Sequence, residues 1–444
     1  MYLPTSIVYI KIYLLNFLER FVTIGLKSFL VIYFIKILNL DYQTAAAILS
    51  IFFFWEYLFS IITGKYIDKY SNDKKAMALG FLLSSCASIL FFSSQTYLIY
   101  LSIALFNISA AMIKPAIPHF LKNIIRYSKK KRYDQRFLII HMLTNMAAII
   151  SPLVLGYFLS VSNSQYIAIV LATISIVGTI TGGSTLKHSD FKHIKNDCYF
   201  ILFILISFLL IYISFLYQEI FVFLSLAIIL FIFNKFLHFY RDTKPSEKAN
   251  LNKILLTLVF FFIYFLINIQ KLSALSIIIE DFVNRSVHGF EIPTPWFISI
   301  ISIFVVIFSY IKSRSKKELS TIQQLFFGAR LEMILYILLS AILFSFSEIP
   351  LFVIILFYAG FSLSEIHISP ITISYIAQKT PAKPSNIYFG LAPASAALAS
   401  YLNIFLSKYA FFNNEDLLHN FGIFLIVAAI TLAAILFFFR KFKL

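Results

Sequence analysis

The sequence predicts an all-α integral membrane protein that crosses the bilayer fourteen times, and three observations carry the prediction. Of 444 residues, 60% are hydrophobic and only 13% are charged, against about 25% charged in an ordinary soluble domain. The apolar residues gather into runs of the length, about 20 residues, that spans the hydrocarbon core as a helix. The segments joining these runs alternate between basic and neutral or acidic.

Taken in order, the expected spans are 11–37, 44–68, 74–94, 97–121, 135–160, 164–186, 197–216, 219–239, 251–279, 295–313, 321–346, 350–378, 385–408 and 417–440. The basic connectors are "KYIDKYSNDKK", "KNIIRYSKKKRYDQR", "KHSDFKHIK", "RDTKPSEKANLNK", "KSRSKKE", "KTPAK" and the terminal "RKFKL". The others, such as "SSQTY", "SVSNSQ" and "NNEDLLH", are neutral or acidic. Basic loops stay in the cytoplasm, so both termini are expected on the cytoplasmic side of the inner (cytoplasmic) membrane. The opening "MYLPTSIVYI" lacks a basic n-region and a small-residue cleavage site, so the first span is expected to be retained.

The formal charge of +17 sits in those connectors, where it reports topology and implies no nucleic-acid partner. The run 129–132 reads as a solvated loop beside anionic lipid headgroups. Spans seven and eight carry neither intramembrane charge nor proline and lie between two polar linkers. A hairpin with nothing polar to hide has no need to line a cavity. The expected organisation is a six-helix bundle (1–188), a peripheral transmembrane hairpin with its linkers (189–243), and a second six-helix bundle (244–444). Cys86 and Cys198 form no metal or disulfide pattern, and "GGS" at 182–184 has no Walker sequence after it. No catalytic constellation, metal site or cofactor fingerprint appears, so no enzyme is assigned.

Charges inside the apolar runs are the candidate functional residues, because each ion costs about 2.5–3.5 kcal/mol at the bilayer centre even on lenient scales. In the first span Arg20 and Lys27 are seven residues apart, within about 20° on a helix and about 10 Å along its axis. Asn16 shares that stripe, Thr23 lies between, and Glu19 is on the flank. Such a stripe faces a wet interior. Adjacent helix residues do not face one another, so Glu19 and Arg20 are not expected to form a simple mutual pair. Glu56, Lys114 and Glu365 are similar misfits in other spans, so partnering in a shared cavity is available. Glu56 reads either as a neutral hydrogen-bonded acid or as a proton site. His141 and His367 read as packing residues. Arg330 and Glu332, two apart, should face different ways.

At these residues the chain resembles the proton-dependent oligopeptide transporters of the major facilitator superfamily. "NFLERFVTIGLK" is similar to their E-x-x-E-R-F-x-Y-Y-G-M-R, and "GKYIDKYSNDKK" to their G-x-x-x-D-R with trailing basic residues. "AMIKP" matches G-x-x-K-P, and "IIHMLTNMAAIISP" keeps the Asn and Pro of the fifth helix. "NIQKLSA", "FEIPTPWFISIISIF" and "LSEIHISPITISYIAQKTP" resemble later family segments in order. The resemblance covers residues 12 to about 400. It implies the major facilitator fold, with 12 core helices in two bundles and a two-helix insertion.

The resemblance also implies roles. Lys27 and Lys114 take a substrate carboxylate and Glu365 its amine. Asn145 bonds the peptide backbone, while Tyr57, Gln270 and Ser369 line the site. Glu19 exchanges partners between Arg20 and Lys114 as it binds and releases a proton, the coupling ion. Gly64, Asp68 and Lys69 form a cytoplasmic gate. The departures fall at ligand positions: Asn16 for the first acid, Thr23 and Ile24 for paired tyrosines, Lys27 for Arg, Ile269 for an acid, and Ile301 and Ser302 for Asn-Pro. The expected function is proton-coupled uptake of di- and tripeptides by a monomer embedded in lipid. Two alternatives stay open: a facilitator or exchanger of amino acids or another small organic solute, and a non-transporting receptor, scaffold or lipid-handling protein.

Overall fold

Hydrocarbon offers the backbone no water to bond, so a chain that enters it alone must close its hydrogen bonds within each segment, as a helix does. The computed structural model describes residues 5–70, 72–93, 95–127, 133–160, 164–186, 194–314, 320–379, 385–412 and 416–441. Its helices are α1 (Thr5–Lys36), α2 (Tyr42–Tyr70), α3 (Asp73–Leu90), α4 (Thr96–Tyr127), α5 (Tyr133–Ser160), α6 (Ser164–Gly183), α7 (Ile194–Leu216) and α8 (Gln218–Asp242). There follow α9 (Pro245–Gln270), α10 (Ala274–Phe282), α11 (Trp296–Arg314), α12 (Thr321–Ser345), α13 (Leu351–Lys379), α14 (Ser385–Phe405) and α15 (Leu417–Lys441). A π-helical turn, Leu406–Phe411, extends α14.

Every expected span coincides with a helix, with one change: span nine, 251–279, is two helices. The chain breaks at Lys271–Ser273, between α9 and α10. Among the described residues ten segments are long and apolar enough to cross a membrane. Helix α1, one of the remainder, falls short because it carries the charges discussed below. The protein is a multi-pass membrane protein.

The helices pack as two units, Met1–Asn39 with Ile51–Phe221, and Leu40–Ser50 with Val222–Leu444. Of the peripheral hairpin expected at 189–243, α7 falls in the first unit and α8 from Val222 onward in the second. The reason for α7 is aromatic packing: Phe203 stacks on Tyr66 of α2 at 4.0 Å and meets Phe59 edge-on at 6.3 Å.

In the first unit α1 packs on α5, and α3 packs on α4 and α6. Gly25 permits the α1–α5 approach. A Cβ there would stand 2.6 Å from Leu155 Cδ1 and 3.0 Å from Ser151 Cβ. In the second unit α12 packs on α13 and α15, α11 on α13, and α14 on α9. After α10 a two-residue hairpin, Ser286–Val287 with Phe290–Glu291, turns on His288 (φ 51°) and Gly289 (φ 81°), the positive-φ pair such tight turns require. Arg285 anchors that loop, donating to Glu280 (2.8 Å), Glu291 (2.6 Å) and the Ile292 carbonyl (2.7 Å).

Because Gly25 sets how closely α1 lies on α5, Gly25→Val is expected to overpack the contact by about 1–3 kcal/mol. A lower unfolding midpoint of the purified protein in detergent checks this.

Candidate functional site

The polar stripe of α1 is buried, as its spacing requires. Asn16 is 3% exposed and donates to the Ile140 carbonyl (3.3 Å) and the Thr144 hydroxyl (3.2 Å) of α5. The family's first acid is therefore replaced by an amide that ties two helices together. Glu19, also buried, accepts from the Thr23 hydroxyl at 2.7 Å, one turn along. Contrary to the sequence expectation, Arg20 does pair with its neighbour: Nε lies 3.2 Å from Glu19 Oε2. The two groups are close without being aligned for a hydrogen bond, which is what adjacency on a helix allows. Glu19 also lines a cavity of about 10 Å³ with Thr23, Ser84 and Ser109, the lower limit for one water.

The centre of the first unit is Glu56 of α2. Its side chain is fully buried. Lys27 Nζ stands 2.7 Å from its Oε1 and 2.6 Å from its Oε2, and Lys114 also pairs with Oε1. Aromatic rings of α2 complete the cradle. Lys27 Nζ lies 4.8 Å from the Phe53 ring centre, Lys114 Nζ lies 5.8 Å from that of Tyr57, and those two rings stack. Spacing explains the arrangement, because Phe53 and Glu56 are three apart on α2 and share a face. Lys114 directly precedes Pro115, whose missing N–H cannot close the helix onto the carbonyl four residues back.

Lys27 and Lys114, expected to take a substrate carboxylate, both have a counterion here, for an ammonium group in an apolar bundle is stable only when paired. Glu56, which matched nothing in the family motifs, supplies it. Lys114 is accordingly on Glu56, while Glu19, expected to exchange between Arg20 and Lys114, stands beside Arg20. Asn145 turns along its own helix, donating to the His141 carbonyl at 3.0 Å. Gly64 is not forced by packing, since a Cβ there would meet only Pro115 at an ordinary 3.6 Å. The side chains of Asp68 and Lys69 lie outside the described residues.

The second unit holds a cluster of opposite sense beside the helix break. Lys271, 5% exposed, places Nζ 3.5 Å from Glu365 Oε2 of α13 and 5.3 Å from the Phe361 ring centre. Glu365, expected to take a substrate amine, stands beside this lysine. Glu332 of α12 is 1% exposed, accepts from the Tyr336 hydroxyl at 2.8 Å, and lies within electrostatic reach of Lys271 and Glu365. Its neighbour in sequence, Arg330, is exposed, as the two-residue spacing predicted. Lys312 of α11 donates to the Ile366 carbonyl at 2.9 Å.

Gln270, expected to touch ligand, is 1% exposed and donates its amide to Asn403. Asn403 donates in turn to Ser50 at 2.7 Å. Ser369 is half-buried, one turn beyond Glu365. Sequence reasoning missed Lys271 and Asn403 as partners. The signal for Lys271 was present, a base inside an apolar span next to a polar "NIQKLS" segment. Nothing in the sequence pointed to Asn403. Among the described residues no group of His, Cys, Asp or Glu is placed to hold a metal.

Two ammonium groups facing one carboxylate make a specific prediction. Glu56→Gln leaves Lys27 and Lys114 uncompensated, and losing one side of a buried ion pair costs about 3–5 kcal/mol. Glu56→Gln is expected to lower the unfolding midpoint, and Glu56→Gln with Lys114→Met to regain a large part of the loss, as a double-mutant cycle in detergent would record.

Residues 12–196 match the Major Facilitator Superfamily. Over 318 residues the chain is 23% identical to the uncharacterized transporter YclF of Bacillus subtilis (strain 168), an alignment covering 66% of this chain and 64% of YclF. The crystal structure of a peptide transporter POT in complex with sulfate superposes with a TM-score of 0.81 at 22% identity, over 96% of this chain and 94% of that one. A POT family transporter in complex with 5-aminolevulinic acid does so with a TM-score of 0.81 at 20% identity, over 97% and 95%. The chain has the fold of these transporters, and its first part, residues 12–196, is similar to the major facilitator superfamily.

Proposed function

We propose that the protein is a secondary transporter of the proton-dependent oligopeptide type, taking up di- or tripeptides or a closely related small zwitterion by alternating access. One observation carries the reading. Each unit holds buried charged groups of both signs: Lys27 and Lys114 with Glu56 in the first, and Glu365 with Lys271 in the second. A small zwitterion carries one group suited to the lysines and one suited to Glu365. Its carboxylate would go to Lys27 and Lys114, with Tyr57 beside them, and its ammonium group to Glu365.

Other observations support the class. Discontinuous helices place free backbone groups at the binding sites of secondary transporters, and α9–α10 breaks beside Lys271. The transporter of like fold that holds 5-aminolevulinic acid has as its ligand a small molecule with an amine and a carboxylate. Proton coupling is assigned to Glu19, whose buried carboxyl has the part-exposed cation Arg20 for partner. A carboxylate that loses its cation gains proton affinity, and this exchange is the coupling step. The basic connectors support a cytoplasmic side for both termini. A polar second reading, transport of a single amino acid, is favoured by the loss of aromatic side chains at Thr23 and Ile24 and of the amide at Ile301, which shrinks the recognition of a peptide backbone.

Uptake into proteoliposomes decides between them. Labelled dialanine, a tripeptide and alanine are compared with and without an inward proton gradient. Dialanine accumulation that collapses without the gradient is expected. Uptake of alanine alone, indifferent to pH, replaces the peptide reading with the second, and no flux of any of the three overturns both. Glu19→Gln is expected to abolish gradient-driven accumulation while retaining counterflow. Wild-type rates in both assays would remove Glu19 from the coupling step.

A further inference from the structure

A lysine at the end of a membrane span ordinarily extends outward, so that its ammonium group reaches water. Lys312, near the C-terminal end of α11, does the opposite. Its Nζ donates to the Ile366 carbonyl of α13 at 2.9 Å. Three turns earlier on α11 the Ile301 carbonyl accepts from the Ser362 hydroxyl of α13 at 3.1 Å. These two contacts are about 16 Å apart along α11 and only about 6 Å apart along α13. The Lys312 side chain therefore runs back toward the start of its own helix. The atom it reaches explains why. Pro370 lies inside α13 and has no N–H to close the helix onto the carbonyl four residues back. That carbonyl belongs to Ile366, which is 6% exposed, and an unsatisfied carbonyl in hydrocarbon is costly.

The same turn carries Glu365. Its carboxylate stands 3.5 Å from Lys271 without aligned hydrogen-bond geometry, a contact too loose to fix where the carboxyl group lies. The backbone that carries it must do so. Ser362 ties this stretch of α13 to α11, and Ser364 ties it to α12 through the Gly328 carbonyl at 3.0 Å. Both of these ties precede Glu365, and Lys312 supplies a tie at the residue that follows it. We propose that Lys312 is a positioning residue of α13: its ammonium group takes the place of the backbone N–H that Pro370 lacks, and so holds the turn that carries Glu365. An ammonium group suits the place, because it brings three donors on a rotatable stem and a charged donor bonds a carbonyl more strongly than a neutral one. The consequence for uptake rests on the transporter reading above, whereas the staple itself does not.

A double-mutant cycle on the full-length protein in detergent tests the staple without any cargo. Pro370→Ala returns an N–H that can bond the Ile366 carbonyl, which makes Lys312 redundant. Lys312→Met keeps the length of the side chain and removes its donor. It is expected to lower the unfolding midpoint in wild type, and to lower it less than half as far in the Pro370→Ala background. Equal losses in both backgrounds, or no loss in either, overturn the proposal. If Lys312→Met does not fold, Pro370→Ala is expected to restore folding, and failure to restore it overturns the proposal as well. Hydrogen exchange covers the case in which Pro370→Ala does not fold. Lys312→Met is expected to speed amide exchange several-fold over residues 363–372 and to leave α3 and α6 at wild-type rates, and a uniform rise or none is the contrary result. Uptake into proteoliposomes then reads the effect on Glu365. Lys312→Met is expected to raise the half-saturation concentration for dialanine several-fold with a maximal rate near that of wild type, and a fall in maximal rate alone removes Glu365 from what Lys312 positions. If the cycle is coupled and wild type itself takes up no dialanine, the staple stands and the peptide reading fails.

Discussion

A carboxylate with no exposed surface, held by two ammonium groups, is the constraint on which the first unit depends. Glu56 fixes the facing sides of α1, α2 and α4, because Lys27 and Lys114 must both reach it. It also decides what those lysines can do. Taken singly, each would be a strong anion ligand in a low-dielectric interior. With Glu56 in place, both have their charge countered. The same logic, with signs reversed, governs Lys271 and Glu365 in the second unit.

The surrounding structure serves that condition. Small residues bring helices together where a charged residue must be placed to within an ångström or so. Gly25 lies two residues before Lys27 and seats α1 on Leu155 and Ser151 of α5, while Gly328 lets α12 approach His367 and Ile368 of α13, beside Glu365. Hydroxyl groups then tie the buried helices to one another, as Ser84 does with Ser175 at 2.7 Å and Ser364 with the Gly328 carbonyl at 3.0 Å. Aromatic rings take the remaining faces of the lysines, a contact worth about 2 kcal/mol or more when desolvated. The arrangement holds opposite charges apart from water and from lipid.

The fold was legible because bilayer physics writes it in a coarse code. Run length, connector charge and the apolar hairpin recovered fourteen spans, and each has its helix. The one structural surprise, the break at Lys271–Ser273, lies inside a run whose hydropathy is continuous, so average hydropathy could not reveal it. The site was legible in its membership and not in its pairing. Burial cost pointed to Glu19, Arg20, Lys27, Glu56, Lys114 and Glu365, and all six are charged groups of the two clusters. Which base meets which acid depends on helix rotation and on tenths of an ångström, and spacing within one helix carries no information across two. Family motifs pulled the reading further astray at Glu56, since a residue outside every motif proved to be the partner of two residues inside them. Asn145 and Gln270 kept their family identities yet bond to His141 and Asn403, so the persistence of a motif residue did not fix where its side chain points.

The central claim is that one buried carboxylate holds two lysines of the first unit. An experimental structure of the protein tests it most directly. The Glu56 carboxylate is expected within hydrogen-bond distance of both Lys27 Nζ and Lys114 Nζ. Glu56 turned away from both lysines would contradict it.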